Sequence, residues 1–448
     1  MDKKLQSFKN YFFFLITTSL VTITACSPMH QLSKAEHHLL KDTAIKNAHA
    51  GISVFDVAKN KYIFNYQGDH FFTPASNTKL FTCYAAMKYL GDSIIGLRYY
   101  ESPDTLYLLP TGDPTLLYRD FTVNPVQNFL QANTKPISIS DAYWKEERWG
   151  EGWSWDDYLG DYTSERSPMP VYGNLAHTAF SDTFINNKME FHFSQMPDVT
   201  KGVSFIADTN LKRVAVNRAM DKDSFTIYYP ANKNIHWQSD VPFVTNTLGT
   251  AAYLLSNNSW VINHAKPAIP VSEYKKLYSQ PLDSMLKYMM HRSDNFYAEQ
   301  TLLMVSNELL GYMKDAAVID TLLKTDLKYL PQSPSWVDGS GLSRFNLFTP
   351  QDFITLLLKI KNTFGLNRIR NILPAGNTGT LEGLYIPIGN NIAAKTGTLS
   401  GQVALSGYLV CKSGKLLVFS VLVNNHHTRA QAVRKAVEKF ISALWAKY

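Results

Sequence analysis

The apolar patterning at the two ends of this chain constrains its fold more than any other feature. Residues 51–57 and 62–66 alternate apolar and polar around Lys59-Asn60-Lys61, which reads as a β-hairpin. Three further strand patterns close the chain, at 391–396, 403–410 and 415–423, with Ser413-Gly414 turning between the last two. The segments between are helical. Pro74 suits a first turn, Leu80, Tyr84 and Met87 recur at helical spacing, and Gly91 stops the run. Leu282, Met285, Leu286 and Met289 share a face, a break covers 291–295, and another helix follows at 296–310. The last helix carries Ala432, Val433, Ala436, Val437, Phe440 and Leu444 on one side. Strands at both ends with helices between form one domain if the hairpin completes a sheet with the closing strands. The expectation is an α/β (α+β) fold: an antiparallel five-stranded sheet flanked by helices.

From about 93 to 239 the texture changes. Short strand-like runs alternate with turns such as Thr111-Gly112-Asp113-Pro114, and Trp144, Trp149, Trp153 and Trp155 crowd together. This reads as a β-rich insert at 93–239, interrupting a domain made of 26–92 and 240–448. A chain of 448 residues, 45% apolar and 18% charged, can support such a division around a large core.

At the N-terminus, Lys3, Lys4 and Lys9 precede an apolar run at 11–23, too short for a comfortable membrane span. It ends in Ile23-Thr24-Ala25-Cys26, which resembles a bacterial lipobox. Residues 1–25 then read as a lipoprotein signal peptide and Cys26 as the lipidated residue of an exported, periplasmic, membrane-anchored chain. An ordinary signal peptide or an uncleaved anchor would export it equally. The net charge of +7 falls to about +5 without residues 1–25, and its basic residues are scattered, so nucleic acid is not an expected partner. Cys83 and Cys411 lie in apolar patterns and read as buried thiols. Neither a Cys-x-x-Cys pair nor a His-Glu-x-x-His run is present, and no metal or cofactor is expected.

Three short motifs carry the chemistry. In Ser76-Asn77-Thr78-Lys79, residues three apart on a helix meet, so the Lys79 amine can take the proton that makes the Ser76 hydroxyl a nucleophile. Ser293-Asp294-Asn295 fills the break between two helices; Ser293 can pass a proton to a leaving amine, and the Asn295 amide can hold a peptide group. Lys395-Thr396-Gly397-Thr398 lies on a strand. There Lys395 offers fixed positive charge, Gly397 close approach of a substrate, and Thr396 and Thr398 hydroxyls for a terminal carboxylate. Each motif alone also has a purely structural reading, as a helix cap or a lysine-blunted strand end. Their order, each on the element it needs, is the stronger signal.

That set resembles the Ser-x-x-Lys, Ser-Asp-Asn, Lys-Thr-Gly set of penicillin-binding proteins and class A β-lactamases. Gly112-Asp113-Pro114-Thr115-Leu116, Gly152-Trp153-Ser154-Trp155-Asp156-Asp157-Tyr158, Asp338-Gly339-Ser340-Gly341-Leu342-Ser343-Arg344 and Gly379-Thr380-Leu381 narrow it. From about residue 40 onward the chain resembles class C low-molecular-mass penicillin-binding proteins. These are the D-alanyl-D-alanine carboxypeptidase/endopeptidases of serine peptidase family thirteen. The resemblance implies the serine β-lactamase/DD-peptidase-like transpeptidase fold, peptidoglycan stem peptides as substrate, and β-lactams as covalent inhibitors. It also implies Ser76 as nucleophile, Lys79 as base, Ser293 as relay, Asn295 as substrate orienter and Lys395 as electrostatic support. The Ser76 and Thr398 backbone N–H groups would form the oxyanion hole. Asp157 and Arg344 would meet the amine and carboxylate of a diaminopimelate side chain, with Tyr162 beside them. One departure is that Glu382-Gly383-Leu384-Tyr385 stands where the family commonly has an arginine. A β-lactamase or esterase of the same fold, and a non-catalytic wall-binding protein, are the alternatives.

Overall fold

The structure is a computed structural model that describes residues 34–185, 188–231, 235–256 and 260–448. The expected signal peptide and Cys26 lie outside the described residues.

The central sheet is antiparallel, in the order Ile392–Leu399, Gln402–Val410, Leu416–Asn424, His49–Asp56, Lys61–Tyr66. The N-terminal hairpin does complete the C-terminal meander: His49 pairs with Asn424 and Asp56 with Leu417. Both faces of the sheet are covered, so its middle strands are apolar almost throughout. Val418 and Leu422 turn toward a core shared with the helices Lys79–Tyr89, Leu282–Arg292, Asn295–Leu310 and Pro350–Phe364. Phe419, Val421 and Val423 turn the other way, against the C-terminal helix Ala430–Lys447. In that helix Ile441 joins the buried face, while Ala432 stays exposed.

The helix Lys79–Tyr89 is enclosed on every side: each residue from Lys79 to Met87 is buried. An element with no solvent face has a hydrophobic stripe only as part of its pattern. Leu80, Tyr84 and Met87 gave the period, and Phe81, Thr82 and Cys83 are equally enclosed. Cys83 and Cys411 are unpaired buried thiols.

The insert extends further than expected. Its five-stranded sheet runs Trp260–Asn263, Ile137–Ser140, Leu106–Pro110, Ser93–Glu101, Lys275–Pro281. Strands beyond residue 240 thus pair with strands before residue 141, and the chain re-enters the catalytic domain at the Pro281/Leu282 junction. The boundary at 240 is corrected by this pairing. It was hidden because a closing strand rich in polar residues, such as Lys275-Lys276, gives little apolar alternation. Beyond this sheet, two three-stranded sheets formed from residues between 175 and 242 pack around Phe180 and Ile227.

Candidate active site

The nucleophile turn is built under backbone strain. Ala75 has φ +48°, and the 3₁₀ turn Ala75–Thr78 runs directly into the helix that starts at Lys79. Ser76 and Lys79 therefore straddle the junction, where residues three apart stack almost directly. Two glycines let other segments press against this turn. At Gly341, φ is +85° and a Cβ would sit 1.9 Å from the Ala75 carbonyl oxygen. At Gly397 a Cβ would sit 2.7 Å from the Pro74 carbonyl oxygen. The space on the Cβ side of Gly397 is thus filled by the turn that carries Ser76. The buried Asn77 amide ties the same turn to the sheet, 2.7 Å from Ser406 Oγ and donating at 2.8 Å to the Lys395 carbonyl.

Lys79 is fully buried, and Nζ has three neighbours: Ser76 Oγ at 2.9 Å, Asn295 Oδ1 at 2.6 Å and the Ser340 carbonyl at 2.8 Å. The last two are acceptors only. A neutral amine spends two N–H groups on them and turns its lone pair to the serine hydroxyl. Burial lowers the Lys79 pKa to about 8, against the opposing pull of Asp338, Glu299 and Asp294.

The second motif is placed by two helix ends. Ser293 closes the helix Leu282–Arg292 in the left-handed region, φ 61° and ψ 38°. Asp294 then caps the next helix, accepting from Tyr297 N at 2.9 Å. Ser293 Oγ accepts from Lys395 Nζ at 2.9 Å. Lys79 makes no hydrogen bond to Ser293, whose hydroxyl is held from the side of the third motif. Asn295 is more committed than expected. Its oxygen accepts from Lys79, and its nitrogen donates to the Tyr162 carbonyl at 3.0 Å, which leaves one N–H for a substrate.

Lys395 is also fully buried, its amine bonded to Ser293 Oγ and the Thr396 carbonyl. Burial, then the cations Lys79 and Arg434, hold its pKa well below the usual lysine value.

These groups border one cleft of about 740 Å³, floored by Ser76, Ser293, Asn295, Thr396 and Thr398. Asp157, Tyr162 and Arg344 line its wall. Tyr162 donates to Asp157 Oδ1 at 2.8 Å. Arg344 is exposed and makes no ion pair or hydrogen bond among the described residues. Of the segment around Gly379-Thr380-Leu381, only Thr380 reaches the cleft, and Tyr385 is buried in the core beneath the C-terminal helix.

The D-Ala-D-Ala carboxypeptidase 3 (S13) family model matches residues 32–227 and 259–444. The chain belongs to this family. The D-alanyl-D-alanine carboxypeptidase DacB of Haemophilus influenzae is 26% identical, covering 86% of this chain and 87% of that protein. The D-alanyl-D-alanine carboxypeptidase of an Actinomadura species is 25% identical, over 92% and 83% respectively. In fold, the chain matches the crystal structure of Haemophilus influenzae penicillin binding protein 4 with a TM-score of 0.74. That match is 22% identical and covers 93% of this chain and 99% of that one. The activity of this S13 enzyme is that of a serine-type D-Ala-D-Ala carboxypeptidase.

Several residues that build this S13 site had no role assigned to them from the sequence. Asp338 is fully buried and accepts from Gly341 N, Ser343 N, Asn346 Nδ2 and Trp153 Nε1, at 2.6 to 3.1 Å. It folds the loop that presents the Ser340 carbonyl to Lys79. Glu299 accepts from Ser340 N at 2.7 Å behind it, and burial beside Asp338 raises its pKa to about 8. Asn77, His426 and Arg434 also border or brace the site. Asn77 sat in view inside the first motif, whereas Arg434 belongs to a helix whose sequence shows only an amphipathic pattern.

Proposed function

We propose that this S13 enzyme cleaves the terminal D-Ala from peptidoglycan stem peptides, and D-Ala–diaminopimelate cross-links, through an acyl-enzyme on Ser76. The observation that carries the reading is the Lys79 amine, desolvated, 2.9 Å from Ser76 Oγ and oriented by two carbonyl acceptors. Ser76 attacks the D-Ala carbonyl carbon as its proton passes to Lys79. The backbone N–H groups of Ser76 and Thr398 receive the oxyanion, worth roughly 3 kcal/mol per donor in comparable sites. Lys79 gives up that proton by way of Ser293, which Lys395 holds, to the leaving amine as the C–N bond breaks. Water then enters, and the same groups act in reverse to release the acid.

The strand Ile392–Leu399 is an edge of its sheet, so a stem peptide can add to it in extended form. Asp157 and Arg344 offer opposite charges to the zwitterionic end of a diaminopimelate side chain. β-Lactams would acylate the same serine; the Haemophilus influenzae relative has been crystallised with one. The lipobox-like run ending at Cys26 supports export and attachment to a membrane through lipid. No helix among the described residues is long and apolar enough to cross one.

The test is labelling of purified protein with a fluorescent penicillin, beside mass analysis of cross-linked muropeptides after digestion. Wild type should be labelled, hold the adduct for long periods and release both D-Ala and monomeric muropeptides, while Ser76→Ala does none of these. Rapid clearance of the adduct with no muropeptide product would make the chain a β-lactamase. Muropeptide binding with neither labelling nor product would make it a wall-binding protein.

A further inference from the structure

A groove of about 530 Å³ lies away from the catalytic cleft, between the first helix, Lys34–Lys41, and the C-terminal helix. Its floor is apolar. Leu39, Ala436 and Phe440 are buried beneath it, and Ala443 is half-buried. Ala436, Phe440, Ala443 and Lys447 stand at i, i+4, i+7 and i+11 of the C-terminal helix, one stripe along its length. The rim is basic: Lys439 and Lys447 are exposed on one side and His38 on the other. Among the described residues that line the groove the one acid is Asp42, whose Oδ1 already accepts from Ala44 N at 2.9 Å. Lys41 ends the first helix three residues past His38, and neither Lys41 nor Lys439 makes an ion pair or hydrogen bond among the described residues. The nearby acids do not offset this rim, since Glu438 is held by Lys435 at 2.9 Å and Glu36 is buried.

What covers such a groove follows from where the chain leads. The first helix begins at Lys34, eight residues after Cys26, so a lipid on Cys26 holds this end of the molecule within about 28 Å of the bilayer. A tether that short raises the local concentration of headgroups at the groove. Lysines are drawn to a negatively charged membrane surface, and an apolar stripe between them can bury itself at the boundary between headgroups and acyl chains. The basic rim and apolar floor therefore match the two halves of an anionic phospholipid. The catalytic cleft meets the other end of the C-terminal helix, at Ala430 and Arg434, and lies outside this face.

We propose that the groove between the first and last helices is a docking surface for an anionic phospholipid membrane, with Lys41, Lys439 and Lys447 meeting the phosphates. The inference rests on the attachment through Cys26 proposed above, and it adds which face of the enzyme meets the membrane.

The experiment places the full chain on vesicles of phosphatidylcholine, with or without about 30% phosphatidylglycerol. Lysine acetylation by a water-soluble reagent is then read peptide by peptide by mass. On the anionic vesicles Lys41, Lys439 and Lys447 should react roughly fivefold more slowly than on the neutral ones. Lys324, on the helix Asp315–Lys324 that packs with the core helices across the sheet, should not change. Salt at about 0.5 M should remove the difference. Lys439→Glu with Lys447→Glu should abolish the protection of Lys41 while penicillin labelling is kept; protection of Lys41 that persists in this variant counts against the inference. Equal reactivity on the two kinds of vesicle, in a chain whose Cys26 carries lipid, overturns the inference and leaves the attachment standing. Protection in a chain whose Cys26 carries no lipid removes the attachment and keeps the docking face. Protection that appears without vesicles and grows with protein concentration assigns the groove to a second copy of the chain, which also overturns the inference.

Discussion

Burying a lysine beside a serine makes the amine a base only if desolvation outweighs the surrounding carboxylates. Around Lys79 it does: burial is the largest influence, and Asp338, Glu299 and Asp294 restore only part of the lost basicity, leaving a pKa of about 8. The sign follows directly. The neutral amine is the reactive form, so at pH 7 about one molecule in ten is competent and at pH 6 about one in a hundred. The second-order rate of Ser76 acylation by a fluorescent penicillin should therefore rise about tenfold per pH unit up to roughly 8 and then level. Lys79→Arg, which cannot deprotonate, should fold, as judged by its melting transition, and acylate at least about a thousandfold more slowly. A rate constant that stays flat between pH 6 and 8 would show that another group takes the proton.

The elements were more legible than the contacts between them. The hairpin, the three closing strands, the break at residues 291–295 and the closing helix all have strong periodicity or strong punctuation, and each stands within a few residues of where its pattern put it, the break narrowing to Ser293-Asp294. The three motifs were readable because chemistry fixes their residue types. What stayed hidden was the reason for neighbouring glycines and polar residues, since that reason lies in another segment. Gly341 is small because the Ala75 carbonyl crosses it, and Asp338 is acidic because four donors converge on it. The insert boundary failed for a related cause: the pairing partner of Lys275–Pro281 is Ser93–Glu101, nearly two hundred positions away. Ser293 shows how an element end and a chemical role share one residue. It must adopt φ 61° to end its helix and must also present a hydroxyl to Lys395. Glycine satisfies the backbone and alanine does not. If the hydroxyl relays a proton, Ser293→Gly and Ser293→Ala should both slow acylation about 100-fold or more, with Ser293→Ala also less stable. Full activity in Ser293→Gly would reduce the role of this serine to backbone geometry.

On the scale of the whole molecule, the insert and the catalytic domain share the cleft. Asp157 and Tyr162 come from the insert, while Arg344 comes from the loop that Asp338 folds. If Asp157 and Arg344 meet the diaminopimelate side chain as proposed, Arg344→Ala and Asp157→Asn should each lower kcat/KM for diaminopimelate-containing muropeptides about tenfold, and much less for lysine-containing ones. Equal losses on both substrates would contradict the assignment. The segment that leads into the wall carrying Asp157 is itself tied to the catalytic domain by a buried residue. Arg166 donates to Asp315 at 2.6 Å and to the carbonyls of Glu147 and Trp149, and approaches Glu146 at 3.3 Å and Glu299 at 3.6 Å. Glu299 supports Ser340, and Ser340 supports Lys79, so the clasp between the two parts of the molecule reaches the base through three contacts. Truncating one member of such a cluster strands the others in a dry interior, which typically costs about 3–5 kcal/mol, whereas replacing the pair with apolar residues of similar size is often nearly neutral. Arg166→Met should accordingly lower the urea midpoint strongly, and Arg166→Met with Asp315→Leu should regain much of that loss. If Arg166→Met unfolds at the same urea concentration as wild type, the clasp does not join the two parts.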